Sequence, residues 1–184
     1  KTYSGQYLRN YYTLLCRISK STPGFFPPQV ARAYGYTGIA NYEAVVNGID
    51  ANKSLQGQLA DFPAGSIPAP SMNTDYNWAI SSNAATSEII RKMFQQKISD
   101  ANSHSIDSLE SLQLAALSPA VSAEVITRSI AYGKSVAGAV YQFSKNDGVD
   151  MSYLDPYQLP FPMPADPYCW LPTGPALHAI SPAC

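Results

Sequence analysis

The sequence lacks the features that a nucleic-acid-binding surface or a membrane span requires. Only 14 % of its 184 residues are charged, and the formal net charge is −1 at pH 7. The 12 basic residues are scattered, with no cluster beyond Arg91 and Lys92, so no nucleic-acid partner is predicted. No apolar run reaches the ~18 residues of a membrane-crossing helix, so no membrane span is predicted either. The apolar content of 46 % is that of a globular chain.

Residues that carry metal binding or catalysis are also scarce. The two histidines, His104 and His178, lie far apart, whereas a metal site draws on clustered His, Cys or carboxylate ligands. The nucleophile elbow G-x-S-x-G and the phosphate-binding loop G-x-x-x-x-G-K-[ST] are both missing. Asp147, Asp150 and Asp155 are close in sequence, but they lack the spacing and the closing Glu of a calcium loop. We therefore predict no metal ligands in this chain.

The chain has three cysteines, an odd number that gives only weak support to a disulfide. Cys16 falls in a helical pattern and is predicted to be a small buried side chain. Cys169 and Cys184 lie in a proline-rich stretch, where a disulfide between them is the alternative to two free thiols if the protein is exported. The chain starts at Lys1 rather than at Met, which suggests a processed, trimmed or truncated start.

Apolar positions recur at helical spacing along most of the chain and predict an all-α fold of about five helices, with no strand. The predicted helices span residues 3–20, 29–47, 76–96, 104–116 and 119–145. Pro27 and Pro28 are expected to open the second helix, because the first helical turn needs no proline N–H. Asp75 and Ser118 are the predicted caps of the third and fifth helices, and Gly148 is expected to end the fifth. Residues 48–74 are predicted to form a long irregular connection.

The second predicted helix carries charge where a core-facing helix would not. At 100° per residue, Arg32, Tyr36, Ile39 and Glu43 fall within about 60° of one another on one face. Arg32 and Glu43 are roughly 16 Å apart along the helix, so they cannot pair with each other. We expect both to be structural polar anchors, each hydrogen-bonded to a neighbouring part of the fold.

The character of the chain changes near residue 149. We therefore divide it into a helical bundle portion, 1–148, and a proline- and aromatic-rich irregular segment, 149–184. Eight of the 15 prolines lie after residue 155, a density that a helix or a central strand does not tolerate. The aromatic residues of the segment are expected to pack against an apolar surface.

Three stretches of this sequence, taken in order, resemble one family. They are STPGFFPPQVARAYGYTGIANYEAVVNGI, followed by KSLQGQL; YNWAISSNAATSEIIRKMF; and SKNDGVDMSYLDPY, followed by CWLPTGPALHAISPAC. Their order resembles the N-terminal part of bacterial vanadium-dependent haloperoxidase-like proteins, within the wider group of type-2 phosphatidic acid phosphatases. The resemblance runs from about residue 7 to 184.

The resemblance implies an all-α fold and a pocket for vanadate, or for the phosphate that vanadate mimics. It implies a Lys and two Arg around the oxyanion and two His, in the motifs K-x6-R-P, P-S-G-H and S-R-x5-H. None of these motifs occurs in this chain. The chain therefore resembles half of a larger helical fold, and its partner would be a C-terminal catalytic half of the same protein, which binds the vanadate. Trp170, Pro172 and His178 would then lie near the mouth of the active site.

Three interpretations follow. The first is the N-terminal scaffold portion of a haloperoxidase-like or acid-phosphatase-like enzyme, with no catalytic residue and no activity in this chain alone. The second is a secreted, noncatalytic helical module of the glycan-binding type, which would show a row of exposed coplanar aromatic rings. The third is a family fold that has become purely structural. The resemblance also suggests a periplasmic or secreted protein, and the sequence leaves open whether the chain forms a homo-oligomer.

Overall fold

The computed structural model describes residues 4–155, and within that range the fold consists of five α-helices without a strand. The helices are α1 (Gln6–Ser21), α2 (Pro27–Glu43), α3 (Trp78–Phe94), α4 (Asp100–Leu117) and α5 (Ala123–Ser144). Short 3-10 turns follow α2, at Val46–Gly48, and α5, at Lys145–Asp147. The predicted all-α class is confirmed. No helix in residues 4–155 combines the length and the apolar character that a membrane crossing needs.

Helix α3 is the centre of the bundle and packs against each of the other four helices. Most of its faces are buried, and the buried residues include both large apolar and small side chains. The fully buried apolar residues include Ile80, Ala85, Ile89, Ile90 and Phe94. Ser81, Thr86 and Ser87 are equally buried, and the hydroxyls of Thr86 and Ser87 donate to backbone carbonyls of the same helix. A helix of this composition accepts neighbours on every face.

Helix α5 approaches α3 closely at Gly133. A Cβ atom added to Gly133 would overlap the carbonyl oxygen of Ser81 and press on the Cβ of Ala84. The lack of a side chain at Gly133 therefore permits close packing of the two helices. Gly138, one and a half turns along the same helix, faces open space.

Several helix ends differ from the sequence-based predictions. Helix α3 is capped by Asn77 rather than Asp75, since the Asn77 side chain accepts from the Ile80 N–H. Helix α4 begins at Asp100 rather than residue 104, because Ser99 caps it through the Asn102 N–H. Helix α2 ends at Glu43 rather than 47, and the chain tightens there into a 3-10 turn.

The fifth helix begins later than the proline signal predicts, at Ala123 rather than at residue 119. Ser118 ends α4 instead of starting α5, because its N–H and its hydroxyl both bond the carbonyl of Leu114. Ala120 then has φ +63°, a left-handed conformation that interrupts a right-handed helix. The true cap of α5 is Ser122, whose hydroxyl accepts from Val125.

Residues 149–155 lie against the turn between α1 and α2. The Tyr153 ring contacts the Phe25 ring at 4.7 Å between centroids, and Phe25 stacks on Phe94 at 3.9 Å. Gly24 has φ +88°, and a Cβ atom there would overlap the Tyr153 carbonyl oxygen. The start of the predicted segment 149–184 therefore packs on the bundle. The rest of that segment lies outside the described residues.

Candidate functional site

A group of charged and polar residues, which we call the Arg32 cluster, joins α2 to the end of α5: Arg32, Tyr36, Ser144, Asp147 and Asp150. Arg32 Nε donates to Asp147 Oδ2 at 2.6 Å, and Arg32 Nη2 donates to the Ser144 carbonyl at 2.7 Å. Nη2 also lies 3.6 Å from Asp150 Oδ1. The Tyr36 hydroxyl donates to Asp147 Oδ2 at 3.1 Å. One guanidinium therefore contacts two carboxylates and a helix carbonyl.

The C-terminal end of α5 positions these acidic residues. Ser144 is the last residue of α5, so its carbonyl has no partner within the helix, and Arg32 supplies one. A cation at this end also meets the negative end of the helix dipole. Gly148 has φ +78° and reverses the chain. Asp147 Oδ1 then accepts the Val149 N–H at 3.1 Å, which fixes the turn.

The environment of Tyr36 favours its neutral form. Burial, and after it the neighbouring Asp147 carboxylate, raise the pKa of Tyr36 to about 12. The Tyr36 ring lies 5.3 Å from the Arg32 Cζ atom, within the range of a cation–π contact. Tyr36 is therefore held as a hydrogen-bond donor to Asp147.

Glu43 bonds a different part of the fold. Its side chain is 1 % exposed, and its two oxygens accept from the Ser54 hydroxyl at 2.8 Å and from the Leu55 N–H at 2.6 Å. A carboxylate at the last position of α2 opposes the helix dipole, so these two donors offset an unfavourable location. They tie the irregular connection after α2 to the end of that helix.

The Arg32 cluster does not fit an oxyanion such as vanadate or phosphate. Its one guanidinium is already paired with two carboxylates. A cleft of about 190 Å³ beside it is lined by Asp61 and Asp147, and carboxylates repel an anion. A multiply charged oxyanion needs several converging cations that lack internal partners.

Other cations of the described bundle are dispersed or paired. Arg91 Nη2 bonds Asp107 Oδ1 and Glu110 Oε2, both at 2.6 Å, which ties α3 to α4. A groove of about 520 Å³ between α1 and α4 has Arg17 and His104 in its lining. These supply one guanidinium and one imidazole, fewer than the five groups that the family resemblance implies. Within residues 4–155 there is also no group of three His, Cys, Asp or Glu that could hold a metal ion.

The aromatic residues at the start of α3 pack on one another. The rings of Tyr76 and Trp78 are stacked, with 5.2 Å between centroids and 19° between planes. The Tyr132 ring makes a T-shaped contact with the Trp78 ring, at 5.9 Å between centroids and 80° between planes. The Trp78 ring is also so close to Gly48 that a Cβ atom there would overlap it. These rings form a packed cluster, whereas sugar stacking needs a free ring face.

The sequence analysis missed the polar contacts made by uncharged residues. Tyr11 donates to Asn83 Oδ1 at 2.8 Å in the core, and Gln113 Nε2 donates to the same oxygen at 3.2 Å. Asn83 Nδ2 donates in turn to the Glu110 carbonyl. The signal for this network was Asn83, an amide side chain in the middle of helix α3.

The structure describes Arg32 and Glu43 but not the predicted pocket-mouth residues. Trp170, Pro172 and His178 lie outside the described residues, as do Cys169 and Cys184. Asp147 and Asp150, which were considered for a calcium loop, are instead in contact with Arg32.

The helices define a haloperoxidase-like helical fold. No protein-family profile and no curated protein sequence matches the chain. A solved structure does: the chain is similar to a bacterial vanadium-dependent iodoperoxidase, with a TM-score of 0.70 and 23 % sequence identity. The similarity covers 96 % of this chain and 40 % of the iodoperoxidase chain. The chain therefore spans less than half the length of the structure that it resembles.

Proposed function

We propose that this chain is the N-terminal scaffold portion of a vanadium-dependent haloperoxidase-like or acid-phosphatase-like enzyme. The single observation that supports this proposal is the likeness to the iodoperoxidase fold, which covers nearly all of this chain but only 40 % of the other. In this proposal a C-terminal catalytic half binds vanadate. The present chain supplies the helical bundle on which that half is built.

The chemistry of the described residues supports a scaffold role for this part. The guanidinium groups of Arg32 and Arg91 are bonded to carboxylates that join two helices. Such groups hold elements together and are unavailable to a substrate oxyanion. The proposal also includes a periplasmic or secreted location, and a contact of Trp170, Pro172 and His178 with the mouth of the active site.

The test compares the 184-residue chain with a longer polypeptide that carries the catalytic half. Each is incubated with orthovanadate, hydrogen peroxide and either iodide or bromide, and separately with a chromogenic phosphate ester. An intact-mass spectrum first shows that the short sample contains only the 19.9 kDa species. We expect no turnover from the short chain and vanadate-dependent halide oxidation, or phosphate ester hydrolysis, from the longer one. Turnover by the short chain alone would contradict the proposal, and so would a longer chain that is inactive in both assays.

A further inference from the structure

An open apolar groove runs between the end of α1 and the start of α2; we call it the α1/α2 groove. Its volume is about 420 Å³, and its apolar lining consists of Cys16, Phe25, Pro27, Val30, Ala31 and Tyr34. Ser19 and Lys20 complete the lining. Pro27 and Ala31 are exposed, and the four larger apolar side chains are only half-buried. Water contact with such a surface is unfavourable, so the groove has the character of a docking surface.

The chain itself arrives at the edge of this groove. Phe25, which lines the groove, is the residue that the Tyr153 ring contacts. The Tyr153 backbone crosses directly over Gly24. Leu154 follows with 42 % of its surface exposed. The described part of the chain therefore ends next to the α1/α2 groove.

The sequence that follows suits an apolar, aromatic-lined groove. Residues 157–164 read YQLPFPMP, in which Leu159, Phe161 and Met163 alternate with prolines. Pro-rich segments favour the extended polyproline II conformation, and they dock into grooves lined by aromatic side chains at little entropic cost. Residues 156–164 can span about 28 Å at 3.1 Å per residue. The stretch of the groove along α2, from Pro27 to Tyr34, is about 10 Å long at a rise of 1.5 Å per residue, so the segment is long enough to cover it.

From these observations we propose that residues 157–164 occupy the α1/α2 groove of their own chain, with Leu159, Phe161 and Met163 against its apolar lining. The groove is then an intramolecular docking site for the proline-rich segment. It fixes where that segment starts its path away from the bundle. This inference is independent of the proposed enzyme, since it rests only on the groove and the sequence beside it.

Photo-crosslinking tests the occupant directly. We place p-benzoylphenylalanine at Tyr34 in the full chain, irradiate a mixture of isotope-labelled and unlabelled protein, and map the crosslinked peptides. We expect crosslinks to residues 157–164 within one chain. The same probe at Leu112, which is 69 % exposed on α4, is the control and should not capture this segment. Crosslinks between two copies, or crosslinks that avoid residues 157–164, would overturn the proposal.

Cys16 gives a second readout, because it is a free thiol in the groove lining. Its alkylation rate is followed by peptide mass spectrometry, which separates Cys16 from the other two cysteines. The variant Phe161→Ser with Met163→Ser should speed alkylation of Cys16 several-fold. The control Leu177→Ser, outside residues 157–164, should leave the rate unchanged. Equal rates in the double variant and the unmodified protein would refute docking in this groove.

Discussion

At the scale of single residues, Arg32 connects parts of the bundle that are far apart in sequence. Its guanidinium, 10 % exposed, joins α2 to the Ser144 carbonyl at the end of α5 and to Asp147 in the following turn. A buried pair of this kind adds little net stability over an apolar replacement of both partners, yet removal of one partner is costly. The reason is that the remaining charge loses its compensation.

The first prediction separates the Arg32–Asp147 interaction from the other effects of each substitution. Arg32→Met is expected to lower the free energy of unfolding by about 2–4 kcal/mol, because Asp147 and the Ser144 carbonyl lose their donor. Asp147→Asn should lower it less, since the amide still accepts one hydrogen bond. The double variant should show a coupling energy of about 1–3 kcal/mol in urea denaturation.

Arg9 provides the matched control for this cycle. It is exposed on α1, and within residues 4–155 its side chain bonds only to Gln6 in the same helix, so Arg9→Met should change stability by no more than about 0.5 kcal/mol. Strict additivity of the Arg32 and Asp147 substitutions would show that the two side chains do not interact in solution.

The second prediction concerns Tyr36 at alkaline pH. In the unfolded chain the pKa of a tyrosine is 10.0, and in the fold burial raises the pKa of Tyr36 to about 12. Between these values the unfolded chain binds fewer protons than the folded one, so stability falls as pH rises from 10 to 12. Below pH 10 the contribution is fully present.

Tyr36→Phe should therefore make the alkaline decline in stability shallower. Urea denaturation at pH 9, 10 and 11 measures this slope in both proteins. Burial also raises the pKa of other tyrosines, such as Tyr11, but these contribute equally to both proteins and cancel in the difference. Parallel declines would mean that Tyr36 titrates normally in the fold.

At the scale of helices, the bundle depends on how closely α5 can approach α3. The absence of a side chain at Gly133 lets its backbone rest on the Ser81 carbonyl and on Ala84. Glycine in a helix interior is unfavourable by about 0.5–1 kcal/mol relative to alanine. Close packing at Gly133 offsets this cost, whereas Gly138 has no neighbour that would require a glycine.

The third prediction uses these two glycines as a matched pair. Gly133→Ala should destabilise the protein by about 1–3 kcal/mol, because the added methyl group must push α3 and α5 apart. Gly138→Ala should stabilise it by about 0.5–1 kcal/mol through helix propensity alone. For a chain of this size the corresponding shifts in Tm are about 2–4 °C per kcal/mol, measurable by calorimetry. Equal effects at both positions would contradict the close approach.

At the scale of the whole molecule, periodicity and turn signals were enough to predict five helices and an all-α fold. They failed where two signals competed. Ser118-Pro119 is typical of a helix start, but Ser118 bonds back to the preceding helix and Ala120 adopts a left-handed conformation. Local sequence cannot decide this competition, because the position of α5 is set by its packing on α3.

The polar contacts were predictable in kind but not in partner. A charged pair on one face of α2 indicated that each residue needed a bond elsewhere in the fold. Arg32 finds its partner more than 110 residues away, at Asp147, whereas Glu43 finds Ser54 and Leu55 in the next connection. Contacts between residues so far apart in sequence leave no local pattern, so only the tertiary structure identifies the partner of each charge.

Residues 149–155 pack on the connection between α1 and α2, and this contact has a consequence for synthesis on the ribosome. Gln29 and Ser152 are 123 residues apart, and at about 5–20 residues per second roughly 6–25 s separate their emergence. During that interval the nascent α1–α2 hairpin holds Phe25 without the Tyr153 ring that later covers it. The apolar turn of this hairpin is therefore translated well before the residue that completes its packing.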